Sequence, residues 1–298
     1  MFAYIEVGVA TMCFIILLPC VVVLFTTSTL HINCKVILGT SALAQEVMLA
    51  SQISMFGYDI YIGNVMPDSE DADKPFLLVH EATYIYTTFL SLMIVLERYV
   101  ATYNPASYEI QTFNYPWVVV TAIIGLILSS IASYSIHIYY MYTLMIPVML
   151  FMEMMICLLS ITLLFYCKRQ LRNLPYDSRR LRAKYQLDEV FSFTRAVLPA
   201  ILISSLLKLL ALGPPTIWRA GLIDFPTNQV LFFPMHACTC VVMKCCLIFM
   251  HKGMMRTLRS VLPKLTHRIS VSISPVQPVV DKEKETDTYF ENMKTAWK

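Results

Sequence analysis

Ionisable side chains inside apolar stretches are where this sequence could do chemistry, because each costs about 2.5 to 3.5 kcal/mol at mid-membrane and needs a partner or a task. Glu46 and Lys244 stand in two such stretches, and Glu153 and Lys208 in two more. Either pair can neutralise itself as polar glue between helices, or line a cavity that receives a ligand. A long side chain near a helix end can also snorkel to water. A further group is periodic: His80, Tyr84, Thr87, Ser91 and Arg98 follow one another at steps of 4, 3, 4 and 7. On a helix of 3.6 residues per turn those steps share one narrow face. A spanning helix cannot turn a polar stripe to lipid, so this one faces other helices or a wet cavity. The ligand-facing version of this pattern is a pocket bounded by His80, Tyr84, Glu153 and Lys208. The stripe ends at Arg98, set between Glu97 and Tyr99.

Other chemistries find little support. His236, Cys238 and Cys240 look like metal ligands, but at i, i+2 and i+4 on a helix Cys238 points away from the other two. Packing within a span is the expected role, and no metal or cofactor is expected. No GxxxxGK[ST] phosphate loop, HExxH metal box or nucleophile–base spacing occurs, so an enzyme is not expected, nor a nucleic-acid partner. The nine cysteines lie in apolar spans or at their inner ends, which predicts no structural disulfide.

The elements that must position these groups are apolar rods. The chain is 57% hydrophobic and 14% charged, against about 25% charged in soluble domains, which assigns it to a membrane. Seven spans are legible: about Glu6–Leu30, Val36–Tyr58, a third centred on Leu77–Leu96, Tyr115–His137, Thr143–Tyr166, Val190–Leu212 and Val230–Met250. The Leu77–Leu96 run has 20 residues and so reaches about 30 Å, the hydrocarbon thickness of a bilayer. An acidic loop, 59–75, separates the second and third spans, and a basic stretch, 168–189, the fifth and sixth. Gly213-Pro214-Pro215 is read as the stop of the sixth span, with a loop to Gln229. Pro147, Pro199 and Pro234 interrupt spans; each is a hinge or an ordinary membrane-helix proline.

The expected fold is therefore an all-α membrane protein, a seven-transmembrane helix bundle over residues 1–250. Residues 251–268 place Met254, Met255, Leu258, Val261, Leu262 and Leu265 on one face, as in an amphipathic helix lying in the membrane interface. Residues 269–298 are polar and mixed in charge, the composition of a disordered tail. Lys and Arg near the span ends divide 14 to one side and 2 to the other. The positive-inside rule then puts the N-terminus outside and the C-terminus in the cytoplasm, with the basic stretch inside. This orientation argues against insect-type odorant-gated channels. Asp188 and Glu189 open the sixth span at the same inner level as Arg98. Either acid could hold Arg98 and keep the inner face shut, a two-state lock that a ligand could bias.

Glu97-Arg98-Tyr99 resembles the acidic-Arg-aromatic motif of G-protein-coupled receptors. The wider string ERYVAT, then Tyr108-Glu109, with His31-x-Asn33-x-Lys35 in the first inner loop, is similar to the nematode serpentine chemoreceptors of the Sra/Srab/Sre group, most of all to its Srab branch. The resemblance implies a receptor in the plasma membrane of sensory neurons, binding a small chemical outside and activating a heterotrimeric G protein inside. It implies coupling through Glu97, Arg98 and Tyr99, and leaves a homo- or hetero-oligomer open. The seventh span lacks NPxxY and the sixth lacks CWxP, so rhodopsin-like activation rules do not transfer. A transporter or a ligand-gated channel is the alternative, although no internal repeat of the transporter kind occurs.

Overall fold

The computed structural model describes residues 2–27, 30–63, 74–103, 115–139, 142–172 and 181–269. Within them 94% of residues are helical and none is in a strand. The helices are α1 (Phe2–Thr26), α2 (Ile32–Tyr61), α3 (Lys74–Tyr103), α4 (Tyr115–Tyr139), α5 (Tyr142–Arg172), α6 (Leu181–Ala211), α7 (Gly213–Arg219), α8 (Phe225–Met250) and α9 (Lys252–Ile269). Seven of them, all but α7 and α9, carry a stretch long and apolar enough to cross a membrane. Two compact units divide the chain, Met1–Leu262 and Pro263–Lys298, and the seven spans lie in the first. Residues 270–298, where a disordered tail is expected, lie outside the described residues, as does most of the acidic loop.

Contacts between side chains fix the direction of each rod. Gln52 Nε2, near the end of α2, donates to Glu6 Oε2 near the start of α1 at 3.4 Å. Ser133 Oγ, near the end of α4, donates to the Leu78 carbonyl near the start of α3 at 3.0 Å. Lys244 Nζ, near the end of α8, donates to Ser41 Oγ near the start of α2 at 3.0 Å. Successive spans are antiparallel, so α1, α3, α5 and α8 begin at one face, here the amino-terminal face. The helices form a closed ring: α1 packs on α2 and α8, α2 on α3, α6 on α5 and α8, and α3 reaches α2, α4, α5 and α6.

Burial follows from that arrangement. The most apolar windows of α2 and α3 are 61% buried, that of α4 only 28%, so α3 is an inner strut and α4 an outer one. Large apolar side chains such as Ile15, Ile123, Phe151 and Phe165 point outward, while serines and threonines turn inward or bond the carbonyl one turn back, as Thr194 does to Val190 at 2.7 Å. Soluble folds distribute polarity the other way. The chain is built as a multi-pass membrane protein. Two glycines let helices approach closely: a Cβ at Gly39 would strike the Phe25 ring, and one at Gly125 the Phe89 ring.

Several boundaries differ from the sequence reading. α6 begins at Leu181, inside the basic stretch, and α5 runs to Arg172, so only 173–180 lie between them outside the described residues. Gly213-Pro214-Pro215 does not simply stop a helix. Prolines fit a first turn, where no backbone donor is needed, and α7 starts on them. α8 likewise starts at Phe225 with a proline in its first turn. Asp59, assigned to the acidic loop, is buried on α2. α9 matches the amphipathic pattern: Met254 is fully buried in the bundle core and Leu258 packs on it, while Lys252, Arg256 and Arg259 are exposed.

Candidate functional site

Arg98 and the mid-bundle polar groups form two centres on α3, 14 residues apart from Tyr84 to Arg98 and so about 21 Å along the helix. The stripe is inward as its spacing predicts: His80, Tyr84, Thr87, Ser91 and Arg98 are all buried.

Arg98 lies near the end of α3, away from the amino-terminal face, and is 2% exposed. Its guanidinium forks onto its neighbour, with Nη2 donating to Glu97 Oε1 at 2.6 Å and Nε to Glu97 Oε2. The ring of Phe193 of α6 sits 4.9 Å from the guanidinium carbon. Phe193 also meets the His251 ring edge-on at 5.4 Å. His251 Nδ1 in turn accepts the Met254 backbone N–H at 3.2 Å, capping α9. Burial pushes the His251 imidazole below its ordinary range. Asp188 and Glu189 belong to the first turns of α6, but their side chains lie outside the described residues, and the expected Arg98 lock with them. Phe193, one turn beyond Glu189, is the described α6 contact of Arg98. Tyr99 takes another direction. It is half-exposed and stacks on Tyr166 of α5 at 6.5 Å, and Tyr103 stacks on the same ring at 6.3 Å.

The second centre draws its residues from four spans. Tyr84 is ten residues into α3, Glu153 eleven into α5 and His236 eleven into α8, about 15 to 17 Å below the amino-terminal face by helix rise. Lys208 reaches the same level from the end of α6. Its Nζ lies 3.2 Å from Glu153 Oε1 and donates to Thr88 Oγ1 at 3.2 Å. Thr88 donates to the same Glu153 oxygen at 2.8 Å. Lys208 Nζ also stands 5.8 Å from the centre of the Tyr84 ring, and Tyr84 packs edge-on against His236 at 4.3 Å. His236 Nδ1 is 3.3 Å from His80 Nε2, and His80 Nδ1 is 3.4 Å from the Met48 carbonyl of α2. His80, Tyr84, Glu153 and Lys208 are thus brought together, joined through His236 and Thr88. Neither of those two was read from the sequence as part of the pocket.

The other expected pair does not form. Lys244 turns to Ser41 Oγ and the Met243 sulfur, and both Glu46 oxygens are buried without a hydrogen-bond partner. Equal depth is not equal rotation about the helix axis. His236 and Cys240 are buried and Cys238 is exposed, the divergence their spacing predicts. Among the described residues no group of three or more potential ligands is placed to hold a metal. All nine cysteines are unbridged.

No family model matches the chain, and a search of curated proteins returns no match.

Proposed function

We propose that the chain is a G-protein-coupled chemosensory receptor of the plasma membrane. In this reading a small chemical binds in the mid-bundle centre from the outer side, and a heterotrimeric G protein docks at the cytoplasmic end of α3. The likeness of Glu97-Arg98-Tyr99 and its flanking string to nematode serpentine chemoreceptors supports this reading and makes a sensory-neuron membrane the natural setting.

The observation that carries the reading is the burial of Arg98 beneath Phe193. An arginine side chain at a membrane border ordinarily snorkels to water. Here it is folded back onto Glu97 and covered by a ring from another helix, which describes the closed half of a switch. Outward movement of α6 would lift Phe193 and release the guanidinium. A ligand that binds the open arrangement better than the closed one would drive that movement. Pro199 of α6 lies between Phe193 and Lys208, where a missing backbone bond eases bending.

The test is nucleotide exchange on a co-expressed G protein without added ligand. Phe193→Ala should raise basal exchange severalfold and Phe193→Trp should not, while Arg98→Ala should abolish exchange in both backgrounds. An unchanged baseline in Phe193→Ala at equal surface expression would remove the latch. The chain of buried ionisable groups across α3, α5, α6 and α8 would also suit a transporter. Substrate flux into vesicles with no exchange on any G protein would decide for that alternative.

A further inference from the structure

We propose that the mid-bundle centre takes a neutral small molecule bearing a hydroxyl or N–H donor on an apolar, preferably aromatic body. The proposal rests on the receptor reading only for what binding triggers, not for the binding itself.

Three polar atoms in this centre are buried with no hydrogen-bond partner: Tyr84 Oη, Glu153 Oε2 and His236 Nε2. Buried polar groups are nearly always paired, so three orphans on neighbouring side chains of α3, α5 and α8 mark a place where a partner is missing. Their chemistry can be read in turn. The Met48 carbonyl can only accept, so His80 Nδ1 carries the hydrogen. A neutral ring protonated at Nδ1 presents a bare Nε2, which accepts from His236 Nδ1. His236 then holds its hydrogen on Nδ1, and its Nε2 is a bare lone pair. Glu153 spends Oε1 on Thr88 and Lys208 and keeps the Oε2 lone pairs. Two of the three orphans are therefore acceptors, and the Tyr84 hydroxyl can serve either way. The guest must bring donors.

Charge narrows the class. Glu153 is balanced by Lys208, so the centre as a whole has no charge to neutralise. An ammonium guest would add a second cation beside Lys208, and a carboxylate would face the Glu153 lone pairs. Neither is compensated in a low-dielectric site. A hydroxyl or amide is. The surroundings set the body of the guest. Phe232 stacks on His236 at 5.2 Å, and Phe233 meets His80 edge-on at 5.1 Å. Phe56, Phe76 and Leu77 complete an apolar lid on the amino-terminal side. None of the three orphan atoms has open surface beside it, so the guest enters as the bundle opens, and Pro147 in α5 and Pro234 in α8 flank the site. Satisfying orphans that the closed state leaves bare is a differential affinity for the open state.

The probes are phenylethanol and benzyl alcohol, each with its methyl ether, and phenylacetate and phenylethylamine as charged counterparts. Binding is read as thermal stabilisation of the purified full chain in lipid nanodiscs, with no G protein present. At least one alcohol should bind, its ether roughly tenfold or more weakly, because a site built around hydrogen bonds rejects the analogue that lacks one. Both charged probes should bind more weakly than the alcohols. His236→Phe, which keeps a ring but removes one of the two acceptors, should narrow the alcohol–ether ratio, and Tyr84→Phe should change it less, both retaining the unliganded melting temperature within a few degrees. If a variant fails to fold, the alcohol–ether ratio of the unaltered chain stands as the test. No binding by either alcohol, ethers binding as well as alcohols, or preference for a charged probe would each overturn the proposal. Binding with the predicted preference but no nucleotide exchange would uphold the site and sink the receptor reading. Exchange driven by compounds to which Tyr84→Phe and His236→Phe are indifferent would do the reverse.

Discussion

At the scale of residues, the Glu153–Lys208 pair shows why a buried charge is rarely left alone. Glu153 is fully buried and Lys208 nearly so, and Thr88 bonds both of them. Removing one partner strands the other, a loss of about 3 to 5 kcal/mol in buried pairs, whereas replacing both by apolar groups of similar size is often close to neutral. Glu153→Leu and Lys208→Met should therefore each lower the unfolding midpoint of the purified protein sharply. The double variant should recover most of the difference. Additive losses in the double variant would show that the two side chains act apart, contrary to the 3.2 Å contact. The spacing of His80, Tyr84 and Arg98 was enough to put them on one inward face, since helical periodicity is local. The partners His236 and Thr88 were not legible, because which residue meets which across a bundle depends on helix rotation. The same limit left open whether Lys244 meets Glu46: depth follows from counting residues, and azimuth does not.

At the scale of elements, hydropathy marks where lipid begins and says nothing about where a helix ends. The segment Leu181–Glu189 is charged, yet its leucines, arginine, lysine, alanine and glutamine are good helix formers, and α6 continues through it. Gly213-Pro214-Pro215 reads as the stop of the sixth span, although proline is as much a starting residue as a stopping one. Where two rods meet side by side, the sequence does carry a signal. Cys13 and Cys20 on α1 are seven residues apart, as are Cys238 and Cys245 on α8. The Cys13 thiol stands beside that of Cys238 and the Cys20 thiol beside that of Cys245, two neighbouring positions about two turns apart on the first and last spans. A membrane-permeant oxidant should cross-link α1 to α8, seen as two halves that stay together after cleavage in the α5–α6 connection until a reductant is added. Cys13→Ala with Cys20→Ala should abolish the link. A link that persists in that variant would place α1 elsewhere in the ring.

At the scale of the whole molecule, antiparallel packing fixes every span relative to its neighbours, so a single binary choice orients all seven. That choice is electrostatic. Lys35, Arg98, Lys168, Arg169 and Arg172 lie toward the face opposite the amino terminus, as do Arg182 and Lys184 at the start of α6 and Lys252, Arg256 and Arg259 after α8, while among the described residues Lys74 and Arg219 lie near the other face. The positive-inside rule then predicts an amino terminus outside and α9 inside. An epitope placed after Lys298 should be stained only in permeabilised cells, and one before Met1 in intact cells. The charge argument also makes a directional forecast. Moving positive charge to the amino terminus, with four lysines ahead of Phe2 and neutral replacements at Lys35, Lys168 and Arg169, should invert a fraction of the molecules. On the proposed receptor reading, with Arg98 and Phe193 on the inverted face, nucleotide exchange should fall in proportion to the inverted fraction. Exchange that holds steady while the tail epitope appears on intact cells would mean that the signalling face is not the one carrying Arg98.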